Sequence, residues 1–328
     1  MGRHAVHKLL ERGDDVTLFS RGNTKPDWWD QISHIEGDRT EVDDFHGKLQ
    51  GKSFDAVLDT QAFKKEHVEQ AIKTFSGNVG RYLFVSTGSV YQDNKLDYVS
   101  HCPFKESDVE WPDLDYTYPD GEDPYGVGKR HCEKWLQENS SVPYTIVRIP
   151  AIMGPEDPTG RMWWWVQRAM DGRGVILPLE KRAPFRTLYS TDAAENFIRA
   201  IDAPKAANQT YHIAMQEVMT LERWADLIYQ SAGNQYEIFY VPESILNDRL
   251  KNHSPSFSRS LPYIHDLSKA EAEFGFSTTP AEKWISETVN WYRSNDAGED
   301  SKGYSKREEE LALGKNWKEG MRKLISEF

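Results

Sequence analysis

The sequence predicts an α/β fold: a doubly wound parallel sheet with a smaller C-terminal lobe. Three observations predict it. Strand-like and helix-like segments alternate through the first half, which argues for a parallel sheet covered on both faces. The run Arg81-Tyr82-Leu83-Phe84-Val85-Ser86 is nearly all apolar, as a strand buried on both faces must be. Apolar residues make up 38% of 328 positions and aromatics 12%, enough for a large packed core. Right-handed crossovers leave few topologies, and the doubly wound one is the commonest.

Each element has its own signal. Residues 3–12 carry Val6, Leu9 and Leu10 at helical spacing, and Gly13 stops the helix. Val16-Thr17-Leu18-Phe19 is a short β run ended by Arg21-Gly22. Ile32 and Ile35 mark a second strand, ended by Gly37-Asp38, and Phe54–Asp59 a third. Residues 65–76 read as a helix, 81–86 as the fourth strand, 123–139 as a long helix and 144–148 as the fifth strand. The second half is less regular. Residues 155–186 hold Trp163-Trp164-Trp165 with scattered Gly and Arg. Residues 192–202, 221–232 and 281–294 read as helices, the first with Asp192 as its N-cap. The charged stretch 295–310 is expected to be a solvated linker or tail. A last amphipathic segment follows, with Trp317, Met321, Leu324 and Ile325 on its apolar face.

Composition narrows the function classes. A net charge of −12 argues against a nucleic acid partner, which needs clustered Lys and Arg. It also supplies no polybasic membrane patch. Cys102 and Cys132 are too few for a disulfide framework and lack metal-site spacing, so both read as thiols in a reducing compartment. No apolar run reaches the roughly 20 residues of a membrane span, and the first residues lack a signal-peptide core. The expected setting is the cytoplasm and the expected partner a small molecule.

A fold of this kind opens with a buried strand, a Gly-rich turn and a helix whose N-terminus receives a pyrophosphate. Here the chain begins at what reads as that helix, with Gly2 in the place of the turn's last glycine. Arg21, about 20 residues on, stands where the ribose-reading residue sits. The expectation is that the first strand is missing, that Met1 is an internal methionine, and that this form binds cofactor poorly and is unstable. The alternative is that Met1-Gly2 is an ordinary start.

Three features converge on catalysis. Thr87, in Ser86-Thr87-Gly88-Ser89-Val90-Tyr91, follows the carboxyl end of the fourth strand, where doubly wound folds place their sites. Asp123-Pro124-Tyr125-Gly126-Val127-Gly128-Lys129 opens a helix, with Tyr125 and Lys129 on one face. Arg148-Ile149-Pro150-Ala151-Ile152-Met153-Gly154-Pro155 leaves the fifth strand toward the same edge. Hydride transfer at a carbinol carbon needs a proton moved at its oxygen. A phenol with a pKa near 10 is a weak base until a nearby ammonium favours its phenolate. Lys129 is expected to supply that charge, and Thr87 to hold the substrate oxygen. Tyr91 and Lys95 match the same spacing by accident. The plainer alternative makes Tyr125 a half-buried helix residue and Lys129 a solvated one.

With these pieces the chain resembles the extended short-chain dehydrogenase/reductases, the family of NAD-dependent epimerases and dehydratases. The matching pieces are Gly2, Gly37-Asp38-Arg39-Thr40, Ser86–Tyr91, Tyr125-x-x-x-Lys129 and Arg148-Ile149-Pro150-x-x-x-Gly154-Pro155, across residues 1 to about 294. The resemblance implies a Rossmann-type NAD(P)-binding domain over 1–153, with returning segments near 187–215 and 265–275. Segments 154–186, 216–264 and 276–328 then form the substrate lobe and charged tail. It implies Thr87, Tyr125 and Lys129 as the catalytic triad. It also implies a cofactor site drawing on Gly2, Arg21, Asp38, Arg39, Ser86, Lys129 and Pro150. Ser89, Met153, Arg161 and Arg186 are the substrate candidates. Arg21, where many NAD-specific relatives are acidic, leans toward NADP over NAD. Arg186 precedes Asp192 by six residues, not the family's seven, which puts a nucleotide-sugar substrate in doubt. A homodimer is usual in the family.

Two functions follow. One is an NAD(P)-dependent epimerase, dehydratase or reductase on a sugar or related hydroxyl or keto substrate. The other is a non-catalytic binding protein of the RNA-binding or scaffold type, because Gly-Asp-Arg-Thr and the charged tail look like a subgroup with plant chloroplast RNA-binding members. The complete Thr87, Tyr125 and Lys129 set favours the enzyme. The tryptophan triplet cannot all face one ligand, so at least one belongs to a core. His34, His101 and His212 have no metal spacing.

Overall fold

The computed structural model describes residues 1–91, 99–109, 114–118, 123–251, 255–295 and 297–328. Its elements, in chain order, begin with α1 (Gly2–Arg12), β1 (Thr17–Ser20), β2 (Ser33–Glu36), α2 (Val42–Leu49), β3 (Phe54–Asp59), α3 (Lys65–Phe75) and β4 (Val79–Thr87). There follow α4 (Pro124–Asn139), β5 (Tyr144–Ile149), β6 (Ile152–Met153), α5 (Arg161–Asp171), β7 (Val175–Pro178), β8 (Leu188–Tyr189) and α6 (Ser190–Asp202). The last are β9 (Gln209–His212), α7 (Leu221–Ala232), β10 (Ile238–Val241), α8 (Glu243–Arg249), α9 (Ser268–Phe274), α10 (Ala281–Ser294) and α11 (Arg307–Ser326).

Every strand pairing among these elements is parallel. The main sheet runs β3-β4-β5-β9, and β1-β2 forms a separate pair. Period-2 alternation on β4 explains its apolar run. Tyr82 and Phe84 face a core with Ile72 and Phe75 of α3 and Leu136 of α4. Leu83 and Val85 face the opposite core, with Phe197 of α6. Both faces are therefore covered, and only the strand ends are left for chemistry. No described helix is long and apolar enough to cross a membrane.

The lobe packs α5, α7 and α10 around Trp165, Trp224 and Trp284, all fully buried. Two expectations change here, and the one that put at least one tryptophan of the triplet in a core holds. The tryptophan triplet lies in α5: Trp164 and Trp165 are core, and Trp163 stacks on Tyr292 at 5.2 Å. Asp192 is not a cap. Helix α6 starts at Ser190, and Asp192 instead accepts from the Thr279 backbone and hydroxyl, both at 2.8 Å. The charged stretch expected to be solvated is so only in part: Glu299, Asp300, Lys302, Lys306, Glu308 and Glu309 are exposed, but Ser301, Arg307 and Glu310 are buried. Arg307 and Glu310 are buried against Arg168 and Asp171 of α5, because each charge has an opposite partner within hydrogen-bonding reach. Lys95 lies outside the described residues, and Tyr91 is fully buried.

Candidate active site

A cleft of roughly 400 Å³ opens at the carboxyl end of β4. Thr87 sits on its floor, and its Oγ1 accepts from the Ser89 backbone at 3.1 Å, which fixes the turn. Gly88 is required there. A Cβ would fall 2.1 Å from the Tyr263 hydroxyl, so lobe residues rest directly on this turn. Helix α4 brings in the other two residues. Asp123 caps it by accepting from the Tyr125 backbone at 3.1 Å, with Pro124 in the first turn. Gly128 lets the helix close on the preceding loop, since a Cβ would lie 2.4 Å from the Phe63 carbonyl oxygen. That approach seats Lys129, whose Nζ donates to Ala62 O and Val85 O, each at 2.7 Å. Burial lowers its pKa to about 8.

Tyr125 departs from expectation. It lines the cleft yet keeps 43% of its surface exposed. Its pKa is raised above 10, first by loss of water. A hydrogen bond with Thr87 opposes the rise, Asp123 adds to it, and Arg161 opposes it. The ammonium of Lys129 is 5.9 Å from the phenol ring and points at backbone carbonyls. The expected lowering of this phenol is not found: the net shift is upward, and burial is its chief cause.

Ser86, Thr87, Ser89, Tyr125, Lys129, Pro150, Arg161 and Arg186 all line the cleft. The Ser86 hydroxyl is committed below it, donating to Glu133 Oε1 at 2.5 Å. Arg186 donates to the His265 and Gln216 carbonyls, and burial lowers its pKa. The remaining candidates do not line the cleft. Met153 is buried in the lobe core. Arg21 is exposed, and Gly2 stands one residue behind Met1, which does line the cleft. Asp38 accepts from the Thr40 backbone and hydroxyl, at 2.9 and 2.7 Å. Arg39 is held inside, paired with Asp59 at 3.0 Å, bonded to Gln70 and the His67 carbonyl, and stacked on Phe45. Burial opposes the Asp59 charge, but Arg39 and the hydrogen bonds around it hold that carboxyl below its ordinary pKa.

Sequence reasoning missed Thr60, Phe63, Phe185, Phe257, Arg259 and Tyr263, which also line the cleft. Phe185 and Phe257 stack at 4.5 Å, and Arg259 lies 4.1 Å over the Tyr263 ring. The one signal was an Arg among aromatics in a segment without periodicity.

Among the described residues, the cleft's charged lining is Lys129, Arg161, Arg186 and Arg259, with no Asp or Glu, in a chain of net charge −12. This suits the phosphates of a dinucleotide or another anion. Met1 brings the N-terminus of α1, whose first N–H groups have no side-chain cap, to the same cleft. The residues present thus fit an NAD-type cofactor. Among the described residues, no group of three His, Cys, Asp or Glu is placed to hold a metal.

The family model of the NAD dependent epimerase/dehydratase family matches residues 1–214. Among solved structures, the chain is similar to a UDP-glucose 4-epimerase from Thermotoga maritima, with TM-score 0.69 and 18% identity over 89% of this chain and 95% of that one. It is also similar to the enzyme WbmH from Bordetella bronchiseptica, solved with NAD+, with TM-score 0.61 and 19% identity over 89% and 94%. A curated relative is the chloroplast stem-loop binding protein of 41 kDa b from Arabidopsis thaliana, 25% identical over 238 residues, or 69% of this chain. The chain spans 58% of that relative's length.

Proposed function

Because the chain belongs to the NAD dependent epimerase/dehydratase family, we propose that it is an NAD-dependent epimerase, dehydratase or reductase acting on an anionic sugar or related hydroxyl or keto substrate. The observation that carries this is the meeting of Thr87, Tyr125 and Lys129 in one cleft whose charged side chains, among the described residues, are all cationic. NAD supplies the hydride acceptor and donor when bound. Thr87 holds the substrate oxygen against Tyr125, and Tyr125 takes or returns its proton at the hydroxyl. Lys129, anchored to two carbonyls, offers its remaining N–H to the cofactor. Arg186 and Arg259 bind the substrate's negative charge on the lobe side. We take NAD as the cofactor, since the similar enzyme WbmH was solved with NAD+; the exposed Arg21 is the one residue that leans toward NADP. A cytoplasmic setting is part of the same proposal, supported by two free cysteines.

A screen of sugar phosphates and nucleotide sugars with NAD, with Tyr125→Phe as control, tests this reading. Turnover should fall roughly 10²–10⁴-fold in the variant, the usual worth of a positioned acid–base group. Unchanged turnover overturns it. The stem-loop binding relative favours a second reading, RNA binding. That reading gains ground if the chain binds a stem-loop RNA with steep salt dependence that Tyr125→Phe leaves untouched.

A further inference from the structure

We propose that Asp59 is a positioning residue for Lys129, acting through the turn that follows β3. The inference rests on the cofactor role proposed above for Lys129. Asp59 ends β3 and is buried, and each of its two oxygens has two donors. Oδ1 accepts from the backbone N–H of Gln61 and of Ala62, both at 2.9 Å. Oδ2 accepts from the Tyr82 hydroxyl at 2.8 Å and from Arg39 Nη2 at 3.0 Å. One oxygen thus shapes the turn, while the other is held by β4 and by a cation. Arg39 is itself fixed on α3, where Nη1 donates to Gln70 Oε1 at 3.0 Å and Nη2 to the His67 carbonyl at 2.6 Å.

The turn so held meets Lys129 twice. Ala62, fully buried, presents the carbonyl that accepts from Lys129 Nζ at 2.7 Å, and Phe63 lays its ring 4.8 Å from the ammonium. Val85 O at 2.7 Å and the Phe84 ring at 4.7 Å close the other side. Those two belong to β4, which β3 and β5 lock on both edges. The 60–63 turn has no such ladder, so its shape must come from a side chain. An ionised carboxylate suits this, because it accepts on two oxygens and brings no donor of its own. Arg39 thereby acts on Lys129 without touching it, which gives the arginine of Gly-Asp-Arg-Thr a place in the site. The ionisable groups facing Lys129 can be named. Tyr125, Cys132 and Glu133 come from its own helix and Asp59 from β3. Burial lowers the Lys129 pKa to about 8, and Cys132, Asp59 and Glu133 oppose that fall.

Two roles for Asp59 then predict opposite signs. If it were only a nearby anion, neutralising it would lower the Lys129 midpoint further. As the holder of the turn, its loss lets water reach the ammonium and raises the midpoint toward the ordinary lysine value of about 10.4. The test needs neither substrate nor cofactor. Competitive labelling with acetic anhydride across pH, read on the Lys129 peptide by mass spectrometry, gives the midpoint. Asp59→Asn offers one accepting oxygen where two are needed, and should raise it by about one pH unit. Tyr82→Phe removes a donor to Oδ2 and leaves both turn amides served. It should lower the unfolding midpoint yet move Lys129 by less than about 0.3 pH unit. A fall or no change in Asp59→Asn overturns the proposal, as does an equal rise in Tyr82→Phe. If Asp59→Asn does not fold, Arg39→Lys decides. A single ammonium cannot span Asp59, Gln70 and the His67 carbonyl as the guanidinium fork does, so the midpoint should rise by about 0.3–0.5 pH unit. An unmoved midpoint there overturns the proposal. Lost turnover in Tyr125→Phe tests the acid–base reading separately, so the two can fail independently.

Discussion

Two buried ionic networks use the same residue types and hold different things. Beneath the cleft, Arg148 of β5 forks onto Glu133 of α4, with Nη2 to Oε2 at 2.7 Å and Nε to both carboxylate oxygens at 3.1 Å. Its Nη1 donates to the Tyr91 hydroxyl at 2.6 Å and the Glu106 carbonyl at 2.9 Å. The Tyr91 hydroxyl lies 2.6 Å from His212 Nε2 of β9. At the other end, Glu310 of α11 takes Arg168 of α5 at 3.0 Å and Arg307 at 2.6 Å, and Arg307 also holds Asp171 at 2.7 Å. Both networks surround each buried charge with partners, which is what makes such charges tolerable. Through Ser86 of β4, which also donates to Glu133, the first ties β4 and α4, the elements that carry Thr87, Tyr125 and Lys129, to β5. The second only moors the C-terminal helix to the lobe. Location, not chemistry, decides whether a buried ion pair matters to the site.

The comparison is most exposed at the two carboxylates. Glu133→Ala strips Arg148 and Ser86 of their shared acceptor in a fully buried place. It should cost roughly 4 kcal/mol, in the range for breaking one side of a buried pair. Urea denaturation measures that cost, and the fraction still folded should have lost most turnover. Glu310→Ala should cost somewhat less, about 3 kcal/mol, because Arg168 keeps the Ser301 hydroxyl and Trp164 carbonyl, and Arg307 keeps Asp171. Its folded fraction should turn over at the wild-type rate. Equal loss of turnover per folded molecule in both variants would break the distinction.

Acid should separate the two regions next. His265 is fully buried among Tyr91, Phe104, His212 and Tyr263, and neither ring nitrogen has a hydrogen-bond partner among the described residues. Burial, then Arg186, lowers its pKa from 6.5 to about 3. Unfolding therefore takes up a proton below pH 6.5 that the folded protein refuses, and stability falls as pH drops from 6.5 toward 3. By about pH 5 this one group removes about 2 kcal/mol, at 1.36 kcal/mol per pH unit. His265→Leu should flatten that part of the acid limb, and an unchanged limb would show that His265 is not the group responsible. The network at α11 contains no histidine and should show no matching step.

Much of this was legible in the sequence wherever a residue's job is set by its own element. Thr87 at a strand end, and Tyr125 and Lys129 four apart on a capped helix, are local facts, and the cleft contains all three. The apolar run 81–86 announced a strand buried on both faces, which β4 is. What failed depended on partners far along the chain. Arg39 reads as a cofactor contact until Asp59 and Gln70 are seen beside it. Arg307 and Glu310 read as solvated until α5 supplies Arg168 and Asp171, more than 130 positions away. Arg259 and Tyr263 carry no periodicity, so nothing local marked them as cleft residues.

The smallest expected effect concerns the tryptophan triplet, where the sequence placed at least one member in a core and the lobe packs all three. Trp163 is the one member not fully enclosed. It stacks on Tyr292 at 5.2 Å with 23° between the planes, and its Nε1 donates to the Glu299 carbonyl at 2.9 Å. Phe in its place keeps an aromatic face for the stack and loses one partly exposed hydrogen bond. Trp163→Phe should therefore cost about 1 kcal/mol or less in denaturant unfolding. None of the three tryptophans lines the cleft, so KM for any substrate found by the screen should stay within twofold of wild type. A KM raised several-fold with the unfolding midpoint unmoved would reverse that assignment. It would place α5 in contact with substrate through Trp163.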